Sequence, residues 1–394
     1  MTMNSAVIVD AIRTPMGRGK AGGALSEMHP TDLLGRLFKQ LMSRNDVDPG
    51  SVDDVIVGCV SQVGEQSGSP GRIAWLGAGL PEHVPATVVD RRCGSSQQAV
   101  HFGAQGIMAG AYDIVVAGGV ESMSRVPMFT ARIGQDPLGM MLHARYAGGL
   151  IPQGIAAERI AAKWQVTREQ LDAFSAQSHQ RAAAARDSGA FSAEIMPVGP
   201  DAALLSSDET IRDSTTAQGL STLKTSFVDE AMKLRYPEID WSITAGNSSQ
   251  LADGASALLL MNEQTAKRLG LKPRARFVAF DVIGDDPIVM LTAPIPSTRR
   301  VLAKAGLKIS DIDHFEVNEA FASVPLAWLR EFDADPARLN PRGGAIALGH
   351  PLGASGARLM TTMLHALEQS GGRYGLQTMC EAGGLANATI IERL

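Results

Sequence analysis

Two cysteines and a histidine of the sequence lie beside glycines, at points where a strand is expected to end. Cys93 is followed by Gly94-Ser95-Ser96 and a helical stretch. A cysteine at a helix N-terminus lies near the positive end of the helix dipole, which lowers the thiol pKa toward a reactive thiolate. The free backbone N–H groups there can also bind the oxyanion of an acyl group under attack. The setting of Cys93 therefore indicates a nucleophile, although a buried and inert cysteine fits this residue taken alone.

His350 and Cys380 supply proton-transfer groups for such a nucleophile. His350 lies in GGAIALGHPLGASG, from Gly343 to Gly356, where glycines and a proline remove bulk on both sides of the imidazole. That imidazole can accept a thiol proton near neutral pH. Cys380 ends a predicted strand in MCEAGGLA, so one thiol can act as nucleophile and the other as acid or base. Asn318, in NEAFA, ends another strand where ligand crevices open, although a turn or helix cap also explains an asparagine.

Short β-branched runs alternate with helical patterns along the chain, which predicts an α/β protein with parallel sheets covered by helices. The predicted strands are Ala6–Val9, Val55–Val60, Ala86–Val89, Ile114–Ala117, Ala257–Met261, Arg276–Phe280, Phe315–Val317, Ala345–Leu348, Leu376–Met379 and Ala388–Glu392. The predicted helices are Thr31–Met42, Ser95–Met108, Arg168–Asp187, Ser297–Ala305, Ala320–Glu331 and Ala354–Gln369.

Two distant segments of the chain repeat one order of elements. Ala86–Gly119 and Ala345–Gly384 each read as strand, small-residue turn, long helix, strand and Gly-Gly. We interpret this as an internal duplication, because each copy carries a nucleophile or base at its strand–helix turn. The segment between the copies has a long helix and a polar irregular stretch starting at Pro200, which predicts an inserted domain. The expected division is residues 1–120 with 244–273, then 121–243, then 274–394.

Composition excludes several classes of function. The net charge of -5 argues against a nucleic-acid-binding protein, which usually has a basic excess. No apolar run approaches the roughly 20 residues that a membrane helix needs. The first residues resemble neither a signal nor a transit peptide, so a cytoplasmic location is expected. Three cysteines, far apart in sequence, do not suit a disulfide scaffold.

Taken together, these segments resemble the thiolase family over essentially the whole chain. The matching boxes are CGSS from Cys93, TAGNSSQLADGASA from Thr244, NEAFA from Asn318, GGAIALGHPLGASGAR from Gly343 and CEAGG from Cys380. The resemblance implies the α/β thiolase fold, with two duplicated five-stranded βαβαβαββ core halves in a layered α/β/α/β/α arrangement and an inserted loop domain. It also implies a homodimer or homotetramer.

The resemblance also implies a role for each residue of the site. Cys93 would be the acylated nucleophile and His350 would activate it. Cys380 would exchange a proton at the α-carbon of the acetyl unit. A water held by Asn318 would help His350 to stabilise the thioester enolate, and the backbone N–H groups of Cys93 and Ala382 would form an oxyanion hole. Coenzyme A (CoA) and acyl-CoA would be the substrates, and no metal or resident cofactor is expected, because the thioester supplies both the electrophile and the acidity.

Contacts to the substrate follow from the same resemblance. Ser249 would lie against the pantetheine arm and Met290 near the acyl pocket. Lys224 and Arg235 compete for the CoA phosphate, and the sequence does not choose between them. Gln250 and Phe321 complete the expected substrate-binding set, and Gln250 stands where a small residue is usual.

Some positions depart from the commonest pattern of the family. Ala382 replaces the first glycine of Cys-x-Gly-Gly-Gly, but an alanine still donates its N–H. Pro152-Gln153 replaces the His-Met of short-chain biosynthetic thiolases, which favours a degradative enzyme, including the type found in steroid breakdown. The open alternatives are a short-chain biosynthetic acetoacetyl-CoA thiolase, a ketoacyl-synthase-type condensing enzyme, a non-catalytic lipid carrier and a cysteine hydrolase.

Overall fold

The computed structural model describes residues 4–146, 148–199 and 204–394; the predicted inserted domain and its polar stretch from Pro200 thus include residues outside this range. The strands are β1 (Ala6–Arg13), β2 (Gly17–Arg18), β3 (Asp54–Gly58), β4 (Ala86–Val89), β5 (Ile114–Ser122), β6 (Ala252–Asn262), β7 (Ala275–Gly284), β8 (His314–Val317), β9 (Tyr374–Glu381) and β10 (Leu385–Arg393). The α-helices are α1 (Pro30–Arg44), α2 (Pro70–Gly77), α3 (Ser95–Met108), α4 (Gly139–Arg145), α5 (Gln153–Lys163), α6 (Arg168–Asp187), α7 (Ala217–Ser221), α8 (Glu230–Arg235), α9 (Glu263–Arg268), α10 (Pro294–Ala305), α11 (Ser323–Phe332), α12 (Ala345–Leu348) and α13 (Ser355–Ser370).

The strands join into one mixed sheet with the order β4-β3-β5-β6-β1-β7-β10-β9-β8, and β2 pairs with β6. Only the outer pairs β3–β4, β3–β5 and β8–β9 are parallel. The expectation of parallel sheets is therefore wrong for the centre, where neighbouring strands run antiparallel. The tight turn at Gly383-Gly384 explains one such pair, because a short hairpin joins only antiparallel strands.

The sheet has two halves that correspond strand for strand. Read inward from each edge, β4-β3-β5-β6-β1 is matched by β8-β9-β10-β7, which lacks a counterpart of β4. In the described residues, β1 of one half pairs with β7 of the other at two positions, Val7 with Arg276 and Ile8 with Ala275. In each half a long helix precedes the corresponding strand, α3 before β5 and α13 before β9. This correspondence supports the predicted duplication.

Alternating side chains of the strands build the predicted five layers. Val7 and Val9 of β1 face a core that includes α1 and α2, while Ala6 and Ile8 face α3 and α13. On the far side, α10 and α11 cover the other half of the sheet, in a core that also contains residues of α5 and α6. The layers are thus outer helices, half-sheet, α3 with α13, half-sheet and outer helices, which confirms the expected fold class.

The two middle helices approach each other most closely near their N-termini. A Cβ added to Gly356 of α13 would lie 2.3 Å from the backbone nitrogen of Gln97 in α3, so only glycine fits there. The Ala357 N–H donates to Ser96 Oγ at 2.9 Å and crosses the same contact. The residues just before each helix, Cys93 and His350, are therefore brought to one region of the fold.

The predicted strand Ala345–Leu348 is wrong, because this segment is the one-turn helix α12. Gly349 follows it with φ +83°, a conformation that ends the turn and that a β-branched residue would not adopt. The Ile346 N–H donates to the buried carboxylate of Glu319 at 3.1 Å instead of joining a strand. The other predicted strands and helices are present, and Ser95–Met108 and Arg168–Asp187 match α3 and α6 residue for residue.

The segment between β5 and β6, residues 123–251, is the inserted segment. Its described part contains five α-helices, of which α6 is the longest at 20 residues. Thr167 and Gln170 form a capping box at the start of α6, which satisfies backbone donors at its N-terminus. The boundaries of the three expected domains stay a prediction. In the described part of the chain, no helix is both long and apolar enough to cross a membrane.

We expect Gly356→Ala to destabilise the protein by about 1–3 kcal/mol, because the added methyl group pushes α3 and α13 apart. Urea unfolding at fixed protein concentration measures this change. Gly77→Ala is the matched control, since a Cβ there meets no atom within 4 Å. That helical position should be neutral or gain about 0.4–1 kcal/mol. Equal stability of both variants would contradict the close contact at Gly356.

Candidate active site

Cys93 lies in a fixed turn directly before α3 and is only 7% exposed. The turn needs Arg92 at φ +49°, and Ser95 holds it by accepting from the Arg91 N–H at 2.9 Å and donating to the Arg92 carbonyl. The backbone N–H groups of Cys93 and Ala382 both act to lower the pKa of the Cys93 thiol. The two groups expected to form an oxyanion hole therefore lie near the sulfur.

The expected lowering of the Cys93 pKa is wrong. Burial raises the pKa of this thiol to about 12, and the nearby Glu381 raises it further, whereas the N–H groups of Cys93 and Ala382 act in the opposite direction. Removal of water disfavours the thiolate more than the N–H groups favour it. The resting Cys93 is therefore a neutral thiol.

Cys380 lies on β9 next to Cys93 and is almost fully buried. Burial and the neighbouring Cys93 raise the pKa of its thiol well above the usual value. The following residue, Glu381, places Oε1 only 1.9 Å from where a Cβ of Gly94 would be, so a side chain at Gly94 would displace the Glu381 carboxyl group. Asn387 satisfies its neighbours when its amide nitrogen faces Glu381 Oε1 at 3.1 Å. Glu381 is therefore a buried acid beside both thiols.

His350 is held from both ring nitrogens. Its Nδ1 contacts Ser355 Oγ at 2.5 Å, and its Nε2 contacts Asn318 Nδ2 at 3.4 Å. Burial lowers the pKa of His350 to about 3, and the charge of Arg358 lowers it further, so the imidazole rests in its neutral form. A neutral imidazole can accept a proton. The Asn318 Oδ1 atom is buried without a protein partner, which suits the expected water.

Two buried carboxylates fix these residues, and the sequence analysis missed both. Glu121, at the end of β5, accepts the N–H groups of Val60, Ser61 and Gly353 at 2.8–3.0 Å. It thereby ties the turn after His350 to the carboxyl end of β3. The available signal was an acid at the end of a predicted strand.

The second carboxylate, Glu319, directly follows Asn318. It accepts from Ser178 Oγ of α6 at 2.7 Å, from Asn340 Nδ2 at 2.9 Å and from the Ile346 N–H at 3.1 Å. Burial raises its pKa, while these donors act in the opposite direction. Glu319 thus joins the inserted segment, the end of β8 and the stretch that leads to His350.

The structure places the expected substrate contacts around this centre. The Ser249 N–H donates to the Ala320 carbonyl at 3.0 Å, and Phe321 packs edge-on against Phe227 with ring centroids 5.9 Å apart. Met290 is buried in the apolar core that also contains residues of α5 and Phe321. Ser249, Phe321 and Met290 therefore line adjoining parts of the interface between the inserted segment and the second half of the sheet.

Gln250 differs from this group, because its side chain is fully engaged with the protein. Its amide nitrogen donates to carbonyls of Thr210, Ile346 and Ala347, and its oxygen accepts from Arg212. The expected contact of Gln250 with substrate has no support in this geometry.

The two candidates for the CoA phosphate also differ. Arg235 donates to the carbonyls of Gly148 and Gly149 and lies over the ring of Tyr236, with its guanidinium carbon 5.1 Å from the ring centroid. Lys224 is exposed, in a segment that pairs with the residues before Ser249 through the bridge between Thr225 and Thr244. The geometry therefore favours Lys224 as the group available to an anionic ligand.

The chemistry open to this site is covalent acyl transfer with two acid–base groups. Cys93 supplies the nucleophile with two N–H donors, His350 a neutral base, and Cys380 a second thiol. In the described residues, no three or more His, Cys, Asp and Glu side chains are grouped so that they could hold a metal ion. The expectation that no metal takes part stays a prediction.

Comparison with known proteins places the whole chain in one family. The family model described as "Thiolase, N-terminal domain" matches residues 6–264. The model described as "Thiolase, C-terminal domain" matches residues 271–393. The two matches together cover almost the entire sequence.

Individual proteins give the same result. The chain is 49% identical to the steroid 3-ketoacyl-CoA thiolase FadA6 of Mycobacterium tuberculosis, over 100% of this chain and 95% of that protein. It is 45% identical to a 3-ketoacyl-CoA thiolase of Klebsiella pneumoniae, over the full length of both. The crystal structure of the Bacillus anthracis acetyl-CoA acetyltransferase matches with a TM-score of 0.88 and 35% identity, over 100% of this chain and 99% of that one. The chain therefore belongs to the thiolase family of acyltransferase enzymes.

Proposed function

We propose that this thiolase cleaves 3-ketoacyl-CoA with free CoA, giving acetyl-CoA and a shortened acyl-CoA through an acyl group on Cys93. One observation carries the proposal. Cys93 is buried directly before α3, the N–H groups of Cys93 and Ala382 are near enough to lower the pKa of its thiol, and Cys93 is near enough to Cys380 to raise the pKa of the second thiol. Relatives named 3-ketoacyl-CoA thiolase support the choice of substrate.

In the first half-reaction, the Cys93 sulfur attacks the 3-keto carbon while His350 takes the thiol proton. The N–H groups of Cys93 and Ala382 hold the oxyanion that forms, in a buried site where such bonds are strong. The C2–C3 bond then breaks, and acetyl-CoA leaves as an enolate. Cys380 gives a proton to C2, and the shortened acyl group stays on Cys93.

In the second half-reaction, free CoA collects the acyl group. The proton on His350 first passes to the Cys380 thiolate, and His350 then takes a proton from the CoA thiol. The CoA sulfur attacks the Cys93 thioester, and the Cys93 thiolate that leaves takes this proton back from His350. Cys93, His350 and Cys380 thereby regain their starting protonation states. The net proton transfer runs from the CoA thiol to the methyl group of acetyl-CoA. The reverse sequence is a Claisen condensation by the same residues.

The binding part of the proposal assigns Ser249 and Phe321 to the pantetheine arm, Met290 to the acyl pocket and Lys224 to the CoA phosphate. Ser249, Phe321 and Met290 support it because they lie around the interface between the inserted segment and the second half of the sheet. Lys224 supports it because its side chain is exposed. CoA and acyl-CoA would be substrates with no resident cofactor. A homodimer or homotetramer and a cytoplasmic location complete the proposal.

Other functions within reach of this fold fit less well. A ketoacyl-synthase-type condensing enzyme would place His or Asn where Cys380 stands. A lipid carrier would need no buried set of Cys93, Asn318, His350 and Cys380, and a cysteine hydrolase would not need the second thiol. A short-chain biosynthetic thiolase uses the same chemistry, so only substrate length separates it from the degradative enzyme.

We expect Cys93→Ala to abolish thiolysis and acyl-enzyme formation, because the Cys93 sulfur lies before α3 and near the N–H groups of Cys93 and Ala382. Intact-protein mass spectrometry after mixing with acetyl-CoA should show an acetyl adduct on the wild-type protein and none on this variant. Cys59→Ala is the control, since Cys59 is buried and its pKa is raised by burial. An adduct that persists in Cys93→Ala would overturn the assignment of the nucleophile.

We expect Cys380→Ser to keep acylation of Cys93 while losing at least a hundredfold in cleavage of acetoacetyl-CoA. Transfer of an acetyl group between Cys93 and CoA needs only His350, whereas the α-carbon needs its own acid or base. The measurement compares acetyl exchange between labelled CoA species with acetoacetyl-CoA cleavage. An equal fall in both activities would show that the two thiols do not divide the work.

We expect longer or bulkier 3-ketoacyl-CoAs to be cleaved with higher kcat/KM than acetoacetyl-CoA. Pro152-Gln153 replaces His-Met at the start of α5, and Gln250 is held away from the acyl pocket by its own hydrogen bonds. Each buried methylene contributes up to about 0.8 kcal/mol, so four extra carbons amount to roughly a hundredfold. Steady-state kinetics over chain lengths is the test, and a steady fall in kcat/KM beyond four carbons would indicate a short-chain enzyme.

A further inference from the structure

The side chain of Gln250 binds backbone of both the inserted segment and the second half of the chain. Its Nε2 donates to the carbonyls of Thr210, Ile346 and Ala347 at 2.8, 2.9 and 3.1 Å. Its Oε1 accepts from Arg212 Nη2 at 3.0 Å. One amide group thus connects the segment before β6, the loop at 210–212 and helix α12.

This arrangement requires a glutamine. The amide nitrogen faces three acceptors and the amide oxygen faces a cationic donor, which suits only a side chain with both functions. A glutamate would set a negative oxygen against three carbonyl oxygens. A methionine of similar length would leave the carbonyls and Arg212 without these bonds. The polar atoms of Gln250 are therefore used within the protein.

The carbonyls of α12 that Gln250 binds have no hydrogen-bond partners within that helix. Ile346 and Ala347 lie in the single turn of α12, and carbonyls at the end of a helix lack partners within it. In the first half of the chain the corresponding segment is β4, which the ladder with β3 holds in place. In the second half no such ladder exists, and Gln250 supplies hydrogen bonds in its stead.

The backbone of Gln250 holds the same segment from its other end. The His350 N–H donates to the Gln250 carbonyl at 2.9 Å, and the Gln250 N–H donates to the Ala345 carbonyl at 3.4 Å. The stretch from Ala345 to His350 is therefore bound to Gln250 within α12 and after it. We propose that Gln250 is a positioning residue that fixes His350 for proton transfer with Cys93, an inference that rests on the proposed function.

The expected effect of losing this residue is on rate, not on substrate affinity. A displacement of a catalytic group by about 1 Å costs roughly a hundredfold in rate. The contacts assigned to CoA and the acyl chain do not include the Gln250 amide. Gln250→Met should therefore lower kcat for acetoacetyl-CoA thiolysis at least tenfold and change KM for either substrate less than twofold.

Alkylation of Cys93 by iodoacetamide at neutral pH gives a readout without substrate. Mass spectrometry on Cys93 should show slower alkylation in Gln250→Met, because His350 is displaced from the thiol. Gln264→Met is the matched control, since Gln264 is exposed and far along the chain from α12. Arg212→Met removes only the bond to Oε1 and should lower kcat by about threefold at unchanged KM.

The outcomes separate this inference from its alternatives. A wild-type kcat in Gln250→Met overturns it, as does a rise in KM at constant kcat, which would place Gln250 against substrate. A fall in kcat that matches a loss of folded protein, judged by circular dichroism, also overturns it. If Gln250→Met does not fold, a wild-type kcat in Arg212→Met overturns the inference. A wild-type protein without thiolysis contradicts the proposed function, whereas unchanged alkylation in Gln250→Met contradicts the positioning role.

Discussion

The close packing of α3 and α13 at their N-termini is the contact on which the site depends. Added Cβ atoms would lie 2.3 Å from Gln97 N at Gly356 and 2.3 Å from Ser96 N at Gly58. At both glycines the backbone therefore packs directly against the backbone of α3, and a side chain of any size would prevent this contact. Because Cys93 precedes one helix and His350 precedes the other, the same contact that builds the middle layer also brings together the residues proposed as nucleophile and base. Catalytic geometry and core packing are therefore one constraint.

Two buried carboxylates fix the loops that lead from the packed helices and strands to the site. Glu121 and Glu319 each accept several N–H or O–H donors from turns that would otherwise carry unpaired polar groups. A buried charge is costly unless such donors surround it, so each carboxylate specifies the conformation of every loop it binds. The turn after His350 and the segment before it are each held by one of these acids. The inserted segment participates through Ser178, which makes it part of the support of the site.

Periodicity and the family boxes predicted the helices and strands because those signals are local. α3 and α6 end where their sequence patterns end, and Cys93, His350 and Cys380 were found from glycines beside reactive groups. What could not be predicted depends on contacts distant in sequence. The segment from Ala345 became a helical turn because Glu319 takes an N–H there. The role of Gln250 depends on carbonyls about a hundred residues further along the chain.

The pKa of the Cys93 thiol could not be predicted from its place at a helix N-terminus, because burial also affects it. A helix N-terminus and two N–H donors favour the thiolate, yet burial outweighs them, and it also keeps His350 neutral. Thiol and imidazole therefore rest uncharged, and proton transfer between them becomes favourable as the sulfur forms a bond to an electrophile. The water-excluded surroundings that disfavour the thiolate also strengthen the N–H bonds to an oxyanion. A neutral thiol reacts more slowly than a thiolate, and a substrate oxygen held by the two N–H groups would promote the reaction of Cys93 with its carbonyl carbon.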